Sequence, residues 1–413
     1  MTDVLEFGKK IAVIGGGPAG MMAAGTAAEY GAGVTVFEQT DRLGKKLAIT
    51  GKGRCNVTNN CSVNEFLENV TKNDRFLYAA LYAFPPEKTI EFFEGLGVEL
   101  KTERGNRVFP ASDKAKTIVD AMRKYVSGTK IVYERVSSVA LNSEGGFTVI
   151  ADKEYTFDSV IIATGGKSYP QTGSDGSGYR LAMKLGHSVT ELKPSLIPIE
   201  SRDSVCKKMM GLSLKNVAIK IYDESGKTVY TDFGEMMFTH FGVTGPIILS
   251  ASARIKDSDI SRLTLSIDLK PALDEKTLDA RLLSDFQKNA NKDFANSLAA
   301  LLPSKMIDPF IERTGVDAHK KVNSITREER HKILSTLKAF KISLHALRPI
   351  NEAIITSGGI DVKEINPKTM ESKIIPGLYF AGEIIDVDAY TGGFNLQIAY
   401  STGFIAGKSA AEY

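Results

Sequence analysis

Three glycines near the start of the chain have a spacing that is typical of phosphate binding. Gly15, Gly17 and Gly20 occupy the glycine positions of G-x-G-x-x-G, with Pro18 and Ala19 between the last two. A tight turn, a close backbone approach to a pyrophosphate and a close helix–strand contact each exclude a Cβ at one of these positions. The phosphates would lie at the N-terminus of the following helix, whose free N–H groups and dipole favour anions. The sequence therefore predicts a nucleotide-binding site.

An acidic residue follows at the distance that a ribose requires. The apolar run at 34–37 ends on Glu38, 18 residues after Gly20, and Gln39 comes next. A carboxylate there accepts hydrogen bonds from both ribose hydroxyls and repels a 2′-phosphate, so we do not expect NADP at this site. An ordinary glycine-rich turn is the alternative. The β-branched run at 11–14 and the Ala-rich run at 21–30 argue against it, because they complete a βαβ unit.

The loop at 42–59 carries three glycines and five cations but few large apolar side chains. Because it follows the ribose-binding strand, we expect Arg42, Lys45 and Lys46 beside the pyrophosphate. A solvated basic loop is the plainer alternative. Arg54 either binds phosphate or braces the loop. The other candidate cofactor contacts here are Gly44, Cys55 and Asn56.

Two later strand ends are places where the backbone can approach a cofactor, and the second of them favours FAD over NAD. One buried run ends on Ala-Thr-Gly-Gly at 163–166, and another reaches Gly382 and Glu383 ahead of a helix that begins around 393–395. A simple NAD dehydrogenase needs only the first fingerprint, whereas FAD is commonly contacted by a strand-Gly-acid element far along the chain. We expect Glu383 or Asp386 to bind the ribityl chain or to lie near the phosphates. N–H groups of the last helix would stabilise negative charge on the reduced ring. Further candidate contacts are Val136, Thr164, Gly165, Gly166, Gly393, Phe394, Asn395 and Leu396.

Hydrophobic periodicity predicts an α/β fold with a Rossmann-like FAD-binding domain built from both chain ends, an inserted β-rich domain and a small helical domain. The pattern is helical at 64–125, alternates at 131–163, and predicts strands at 195–270. The next segment is helical, with a capping box that starts at Thr326. The expected boundaries are 1–194 and 354–413 for the FAD domain, 195–272 and 341–353 for the β-rich substrate domain, and 273–340 for the helical insert.

Composition excludes several functional classes. The formal net charge of +3 gives no broad electrostatic footprint for nucleic acid. No apolar run approaches the roughly 18 residues of a spanning helix, and the acidic start is unlike a signal peptide, so we expect a cytoplasmic protein without membrane association. Three cysteines in 413 residues are too few for a secreted disulfide framework. No Cys/His cluster has metal-ligand spacing, so no metal is expected.

The chain resembles the BaiN/RdsA family of FAD-dependent oxidoreductases, also described as aminoacetone-oxidase-like flavoproteins, within the glutathione-reductase-like superfamily. The resemblance covers nearly the whole length and rests on sequence runs at 15–20, 51–59, 163–166, 238–246, 356–360, 381–386 and 391–397. It implies the same domain plan and redox chemistry on a small ketone, amine or enone. One departure is Ala389 with Tyr390, where the family usually carries a glycine before Thr-Gly-Gly. The substrate of a relative is therefore a poor guide to the substrate of this chain.

The candidate catalytic residues are His240 and Tyr390. His240 lies in the Gly-rich run at 238–246, where a satisfied core or capping histidine is the alternative. Tyr390 lies in a segment expected to line the flavin. His187 ends a predicted helix and is expected to be structural. A redox disulfide between Cys55 and Cys61 is disfavoured, because C-x₅-C across a poor helix segment differs from the C-x₄-C of disulfide reductases.

We therefore expect noncovalent FAD and hydride transfer between flavin N5 and a small carbonyl-conjugated substrate, such as an enone or a 3-oxo bile acid, with NAD(P)H as transient electron donor. No second G-x-G-x-x-G with a following acid is present, and the run at 173–178 lacks a preceding strand, so no dedicated NAD(P)H domain is expected. An amine oxidase that produces H₂O₂ and a noncatalytic FAD-binding redox sensor are the alternatives. The sequence leaves open the physiological substrate, the choice between NADH and NADPH, and the oligomeric state.

Overall fold

The computed structural model describes residues 8–412, which form two compact units. The first unit contains the chain up to Pro194 and from Ile350 onward, and the second contains Ser195–Pro349. The first boundary coincides with the one expected at 194, whereas the chain returns at 350 rather than at 354. The segment 273–340, expected as a separate insert, belongs to the same compact unit as the β-rich region.

Short strands and helices alternate along the chain. The strands up to the first boundary are β1 (Lys10–Ile14), β2 (Gly33–Phe37), β3 (Thr58–Asn59), β4 (Val70–Lys72), β5 (Leu100–Glu103), β6 (Arg107–Pro110), β7 (Lys130–Val132), β8 (Ser138–Leu141), β9 (Phe147–Ile150), β10 (Glu154–Phe157), β11 (Ser159–Ile162) and β12 (Lys193–Ser195). Those of the central segment are β13 (Ile199–Ser201), β14 (Ser213–Tyr222), β15 (Thr228–Phe238), β16 (Gly242–Thr244), β17 (Thr264–Asp268) and β18 (Phe340–Leu347). The C-terminal segment adds β19 (Ile355–Ser357), β20 (Leu378–Phe380) and β21 (Asp388–Ala389).

The α-helices follow the same division. Those of the N-terminal segment are α1 (Pro18–Glu29), α2 (Val63–Leu67), α3 (Tyr78–Ala83), α4 (Pro86–Gly95), α5 (Ala115–Tyr125) and α6 (Ser177–Lys184). The central segment contains α7 (Ser204–Lys208), α8 (Pro246–Ile255), α9 (Glu275–Lys288), α10 (Phe294–Ser297), α11 (Ser304–Thr314) and α12 (Arg327–Lys338). The last helix is α13 (Phe394–Glu412). Among residues 8–412, none of the helices combines the length and the hydropathy needed to cross a membrane.

The core of the first unit is a five-stranded parallel sheet of order β20-β11-β1-β2-β7. Residues of β1 and β11 are buried in unbroken runs, which is expected for strands covered on both faces. β20 comes from the C-terminal segment and pairs with β11. The predicted α/β fold, with a Rossmann-like domain built from both ends of the chain, is confirmed. Because all five strands are parallel, the loops that follow β1, β11 and β20 leave the same edge of the sheet.

Helices α1 and α13 pack closely in this unit, and glycines make that possible. A Cβ on Gly403 would lie 2.5 Å from the carbonyl oxygen of Ala19, and one on Gly407 would overlap the carbonyl oxygen of Ala23. The two helices therefore meet backbone to backbone. The C-terminal helix is held directly against the helix that follows the glycine motif.

The predicted helical pattern at 64–125 is confirmed for α2 to α5, but the region also contains short strands that were not predicted. Between α4 and α5 the chain forms the hairpin β5–β6, in which Glu103 pairs with Arg107. Gly105 and Asn106 both have positive φ in its loop. Glycine and asparagine favour that conformation, so a turn signal was present in the sequence. β4 also lies in this region and pairs with β21.

The second unit contains a closed barrel of order β13-β16-β15-β14-β17-β18. In β14 the residues Val217, Ile219 and Ile221 are buried at alternating positions, as expected for a strand with one face inward. Helices of the 273–340 segment contribute apolar side chains to the same hydrophobic cluster as the barrel. The predicted capping box at Thr326 is confirmed. α8 lies within the region expected to be largely β, and its Pro246 occupies a favourable first-turn position.

Candidate functional site

The three glycines of the motif lie in three different surroundings. Gly15 has φ +109°, and a Cβ there would lie 2.5 Å from the carbonyl oxygen of Ala163. A Cβ on Gly20 would overlap the carbonyl oxygen of Gly15. A Cβ on Gly17, by contrast, would meet nothing within 4 Å. Gly15 and Gly20 are therefore required by the fold itself, whereas Gly17 borders open space of the kind that an approaching pyrophosphate needs.

The N-terminus of α1 is suited to an anion. Gly17 is its N-cap residue, no side chain caps it, and the first turn contains no acidic residue. Pro18 occupies the first helical position and has no N–H, so Ala19 and Gly20 supply the first N–H groups. Uncapped N–H groups and the helix dipole together favour a diphosphate at this position.

The Glu38 carboxylate is buried at the end of β2 and is already oriented by the backbone. Oε2 accepts a hydrogen bond from the N–H of Gly16 at 2.8 Å, and Oε1 accepts one from the N–H of Thr40 at 2.7 Å. A carboxylate has about four acceptor positions, so each oxygen keeps one for a further donor. This arrangement fits a pair of ribose hydroxyls.

Lys46 and Glu383 form an ion pair that the sequence did not predict. Lys46 Nζ lies 2.8 Å from Glu383 Oε2, and both side chains are largely buried. Glu383 Oε1 accepts hydrogen bonds from Ser168 Oγ at 3.0 Å and from the N–H of Thr356 at 2.8 Å. Both residues were expected to contact the cofactor, and in this structure their charged groups bind one another. The pair links the loop after β2 to the end of β20.

Several buried polar atoms near these strand ends have no hydrogen-bond partner among the described residues. They include Asn56 Oδ1, Thr164 Oγ1, Ser174 Oγ and Asp386 Oδ1. Leaving a buried polar atom unsatisfied costs about 1–3 kcal/mol. Three of these four residues were predicted to bind FAD. Unsatisfied acceptors and hydroxyls in a buried position are what a polar cofactor would satisfy, so the residues present fit FAD.

Arg54 braces its loop. Its guanidinium bonds Glu103 at 2.5 Å and also Asp113, and it lies 4.2 Å from the ring centroid of Phe109. Of the two roles considered for Arg54, the structure supports the brace. A guanidinium that binds two carboxylates is already charge-compensated, so it has little electrostatic attraction left for phosphate.

Cys55 is fully buried, and burial raises the pKa of its thiol to about 12. A thiol with that pKa is neutral at physiological pH and is a poor nucleophile. Cys55 and Cys61 are both free thiols. The high pKa of Cys55 disfavours the thiolate that disulfide exchange requires, and the expectation that no redox disulfide forms between them stays a prediction.

The start of α13 is closely packed. A Cβ on Gly393 would overlap the backbone of Thr58. Asn395 binds the backbone of Ala389 in both directions, with its Nδ2 donating to the carbonyl oxygen at 2.8 Å and its Oδ1 accepting from the N–H at 3.0 Å. Phe394 packs edge-to-face on Phe66. In this structure Asn395 fixes the turn that carries Tyr390.

The remaining predicted contacts of the first unit differ in exposure. Gln39 Nε2 donates to the carbonyl oxygen of Gly173, Lys45 pairs with Asp41 at 3.2 Å, and Arg42 is exposed. Gly44 has φ +71°, and Val136 is buried after β7. Gly165 and Gly166 follow β11, beside the residues that surround Glu383. The role of each in cofactor binding stays a prediction.

The two catalytic candidates lie in different units. Tyr390 is in the first unit, half-buried, and its N–H donates to the carbonyl oxygen of Asn69. His240 is in the second unit, exposed in the turn between β15 and β16, with its ring edge-to-face against Phe241. The alternative of a satisfied core histidine does not hold for His240. Its catalytic role stays a prediction.

His187 has the structural role that was expected. It is buried, with Nδ1 3.0 Å from Glu364 and Nε2 2.9 Å from Ser372 Oγ. Both ring nitrogens are therefore occupied.

Sequence reasoning missed two residues of this site. Lys72 Nζ lies 2.7 Å from Asp386 Oδ2, and Ser174 lies against Gly165. The run at 173–178 was set aside because no strand precedes it, although its small polar residues were a usable signal. Lys72 gave no signal, because nothing in a local pattern links it to an acid more than 300 residues away. Among residues 8–412 there is no group of His, Cys, Asp and Glu side chains that would hold a metal.

The chain is similar over nearly its whole length to a known family and to named proteins. The model of a family described as "HI0933-like protein Rossmann domain" matches residues 9–409. A 3-dehydro-bile acid delta(4,6)-reductase of Clostridium scindens is 30% identical over 411 residues, which cover 98% of this chain and 99% of the relative. A ribosomal RNA dihydrouridine synthase of Escherichia coli is 28% identical over 412 residues, covering 96% and 98%.

Among solved structures, the fold is similar to that of 3-ketosteroid delta1-dehydrogenase from Sterolibacterium denitrificans. The TM-score is 0.53 at 13% identity, and the match covers 98% of this chain and 99% of that one. At this identity the likeness concerns the fold.

Proposed function

Because the chain belongs to the HI0933-like family of FAD-dependent oxidoreductases, we propose that it reduces a carbon–carbon double bond conjugated to a carbonyl group, with NAD(P)H as electron donor. The observation that carries the proposal is the match to the bile-acid reductase over 98% of this chain. The name of the dihydrouridine synthase points to the same chemistry, since dihydrouridine is uridine with one carbonyl-conjugated double bond reduced. Both names describe addition of two electrons and two protons to such a bond.

The cofactor site supports this reaction. FAD, when bound, supplies a hydride at N5. In this proposal the N-terminus of α1 binds the diphosphate and Glu38 binds the ribose. Lys46 and Glu383 hold the loop after β2 on the sheet edge, which keeps this part of the site in place for the cofactor. The residues named therefore bind and orient FAD rather than carry out a chemical step.

We propose that the reacting alkene receives hydride at the carbon β to its carbonyl and a proton at the α carbon. His240 or Tyr390 supplies that proton, and N–H donors stabilise the developing enolate oxygen. Removal of the side chain that supplies the proton should lower the rate of substrate reduction. It should leave FAD affinity unchanged, because neither side chain is assigned to FAD binding. The two candidates are therefore separable by mutation.

His240→Ala should leave FAD affinity unchanged and lower the rate of substrate-dependent flavin reoxidation by about 10²–10⁴-fold, as for loss of an acid-base group. His240→Gln, which donates a hydrogen bond but does not shuttle a proton, should recover the rate only if polarisation of the carbonyl is the role. Stopped-flow absorbance of the flavin measures both variants, with exposed His319→Gln as the control. Wild-type rates in both His240 variants would assign the step to Tyr390, to be checked with Tyr390→Phe.

A small molecule is the proposed substrate, because the formal net charge of +3 gives no broad attraction for RNA. The decisive experiment is anaerobic reduction of the purified protein by NADH, NADPH and amines, followed by reoxidation with a steroid enone or with uridine-containing RNA. Reduction by NAD(P)H and reoxidation by the enone are expected. Reduction by an amine with H₂O₂ formed in air would identify an amine oxidase, and no turnover with any donor would favour a redox sensor.

A further inference from the structure

Lys72 binds the most deeply placed acid of the cofactor site. Its Nζ lies 2.7 Å from Asp386 Oδ2, and the Asp386 side chain is only 3% exposed while that of Lys72 is 41% exposed. Asp386 Oδ1 is also buried and has no hydrogen-bond partner among the described residues. One oxygen of this carboxylate is therefore occupied by a cation and the other is left for a ligand.

The fold fixes both partners independently of their ion pair. β4, which ends on Lys72, pairs with β21, just after Asp386. The N–H of Asp386 donates to the carbonyl oxygen of Ile360, and Asn73 Nδ2 donates to the carbonyl oxygen of Asp386 at 2.6 Å. The backbone on each side is thus held by contacts other than the Lys72–Asp386 ion pair. The ion pair acts on the orientation and charge of the carboxylate alone.

The chemistry of the unoccupied oxygen selects its ligand. An ionised carboxylate only accepts hydrogen bonds, so Oδ1 requires a donor and repels phosphate. FAD offers hydroxyl donors on its ribose and on its ribityl chain, and Glu38 is placed to bind the ribose. We propose that Lys72 is a positioning residue, which holds the Asp386 carboxylate so that Oδ1 accepts a hydrogen bond from a ribityl hydroxyl of FAD. This inference rests on the proposed function only in requiring that FAD binds.

The test compares FAD with ADP, which carries the ribose and the diphosphate but no ribityl chain. Calorimetric titration of the full-length apoprotein should show that Asp386→Asn weakens FAD binding by about 10- to 100-fold, the scale of a lost hydrogen bond to a charged group. Lys72→Met should weaken it by a smaller factor, because Lys72 is partly exposed. ADP affinity should stay unchanged in both variants, and Lys72→Arg should restore most of the FAD affinity. Lys116→Met, which removes an exposed ion pair on α5, is the matched control.

FAD analogues that lack the 2′-, 3′- or 4′-hydroxyl of the ribityl chain identify the donor. One of these analogues should bind the wild-type protein more weakly than FAD does, by the same factor by which Asp386→Asn weakens FAD binding. The affinity of that analogue should be the same for the Asp386→Asn variant as for the wild type. Wild-type FAD affinity in Lys72→Met, equal losses for FAD and ADP, or an effect of Asp386→Asn that persists with all three analogues would each overturn the proposal. A holoenzyme that binds FAD in this way but reduces no enone would overturn the proposed function and leave this inference standing.

Discussion

The Glu38 carboxylate combines two tasks in one side chain. It accepts backbone N–H groups from Gly16 and Thr40, and it keeps acceptor positions for a ligand. Glu38→Ala should therefore weaken both FAD and ADP binding by at least about 10- to 100-fold, the scale of one lost hydrogen bond to a charged group at about 1.5–3 kcal/mol. Fluorescence titration of the apoprotein measures FAD, and calorimetry measures ADP. Unchanged affinity for both ligands would show that the ribose lies elsewhere.

We expect His187 to make the stability of the first unit depend on pH. Burial lowers the pKa of His187, although Glu364 acts in the opposite direction. In the unfolded chain the pKa is about 6.5, so acid favours the unfolded state, and the stability is fully present above about pH 6.5 and decreases as the pH falls. His187→Gln should reduce the slope of Tm against pH between about pH 7 and pH 5. Thermal unfolding of wild type, His187→Gln and the exposed control His319→Gln tests this. A slope equal to that of wild type would assign the pH dependence to other groups.

At the scale of the element, the junction of β1 and α1 contains one glycine that the fold requires, Gly20, and one that ligand binding requires, Gly17. Gly17→Ala places a methyl group in open space at an ordinary backbone conformation, so the apoprotein should keep its Tm. FAD affinity should decrease at least about tenfold, or 1.4 kcal/mol, because the methyl group occupies the path of the diphosphate. Gly20→Ala should instead destabilise the apoprotein by about 1–3 kcal/mol or more, because its Cβ overlaps the Gly15 carbonyl. Apoprotein Tm and FAD titration distinguish the two, and equal Tm losses would contradict this account.

Elements with strong local signals were predictable from the sequence. The βαβ unit, the capping box at Thr326 and the strands β8 and β9 of the alternating run at 131–163 each follow from a sequence pattern that is typical of one kind of structure. The hairpin β5–β6 in the region 64–125 was not predicted, because the helical spacing of apolar residues in α4 and α5 dominates the pattern on both sides of it. Short strands bury few residues each, so they leave little periodicity to detect.

The site was predictable only as far as local pattern determines it. The positions of Gly17, Glu38 and Asp386 followed from motifs on single strands. The pairs of Lys46 with Glu383 and of Lys72 with Asp386 join segments far apart in the chain, and only the completed sheet brings them together. Arg54 had two possible roles in the sequence, phosphate binding or bracing of its loop, and the choice depended on the missed hairpin, which carries Glu103.

At the scale of the whole molecule, the groups assigned to FAD all lie in the first unit, while the second unit has its own hydrophobic cluster. The protein should purify yellow and release intact FAD on denaturation. Excess FAD at 100 times Kd should stabilise the first unit by about 2.7 kcal/mol and leave the unfolding of the second unit unchanged. Urea unfolding followed by circular dichroism and flavin fluorescence measures this. Flavin that stays on the precipitated protein, or equal FAD shifts of all transitions, would contradict the assignment.

The pairing of β20 with β11 has a consequence for synthesis on the ribosome. β11 ends at Ile162 and β20 begins at Leu378, so translation at about 5–20 residues per second separates them by roughly 10–40 s. During that interval β11 is an apolar edge strand of the nascent chain, and such edges invite intermolecular pairing. α13, whose glycines lie on α1, emerges later still. We therefore expect FAD to bind late in synthesis, after β20 and α13 have emerged. A nascent chain stalled within the barrel segment would expose the unpaired edge of β11, to which chaperones could bind.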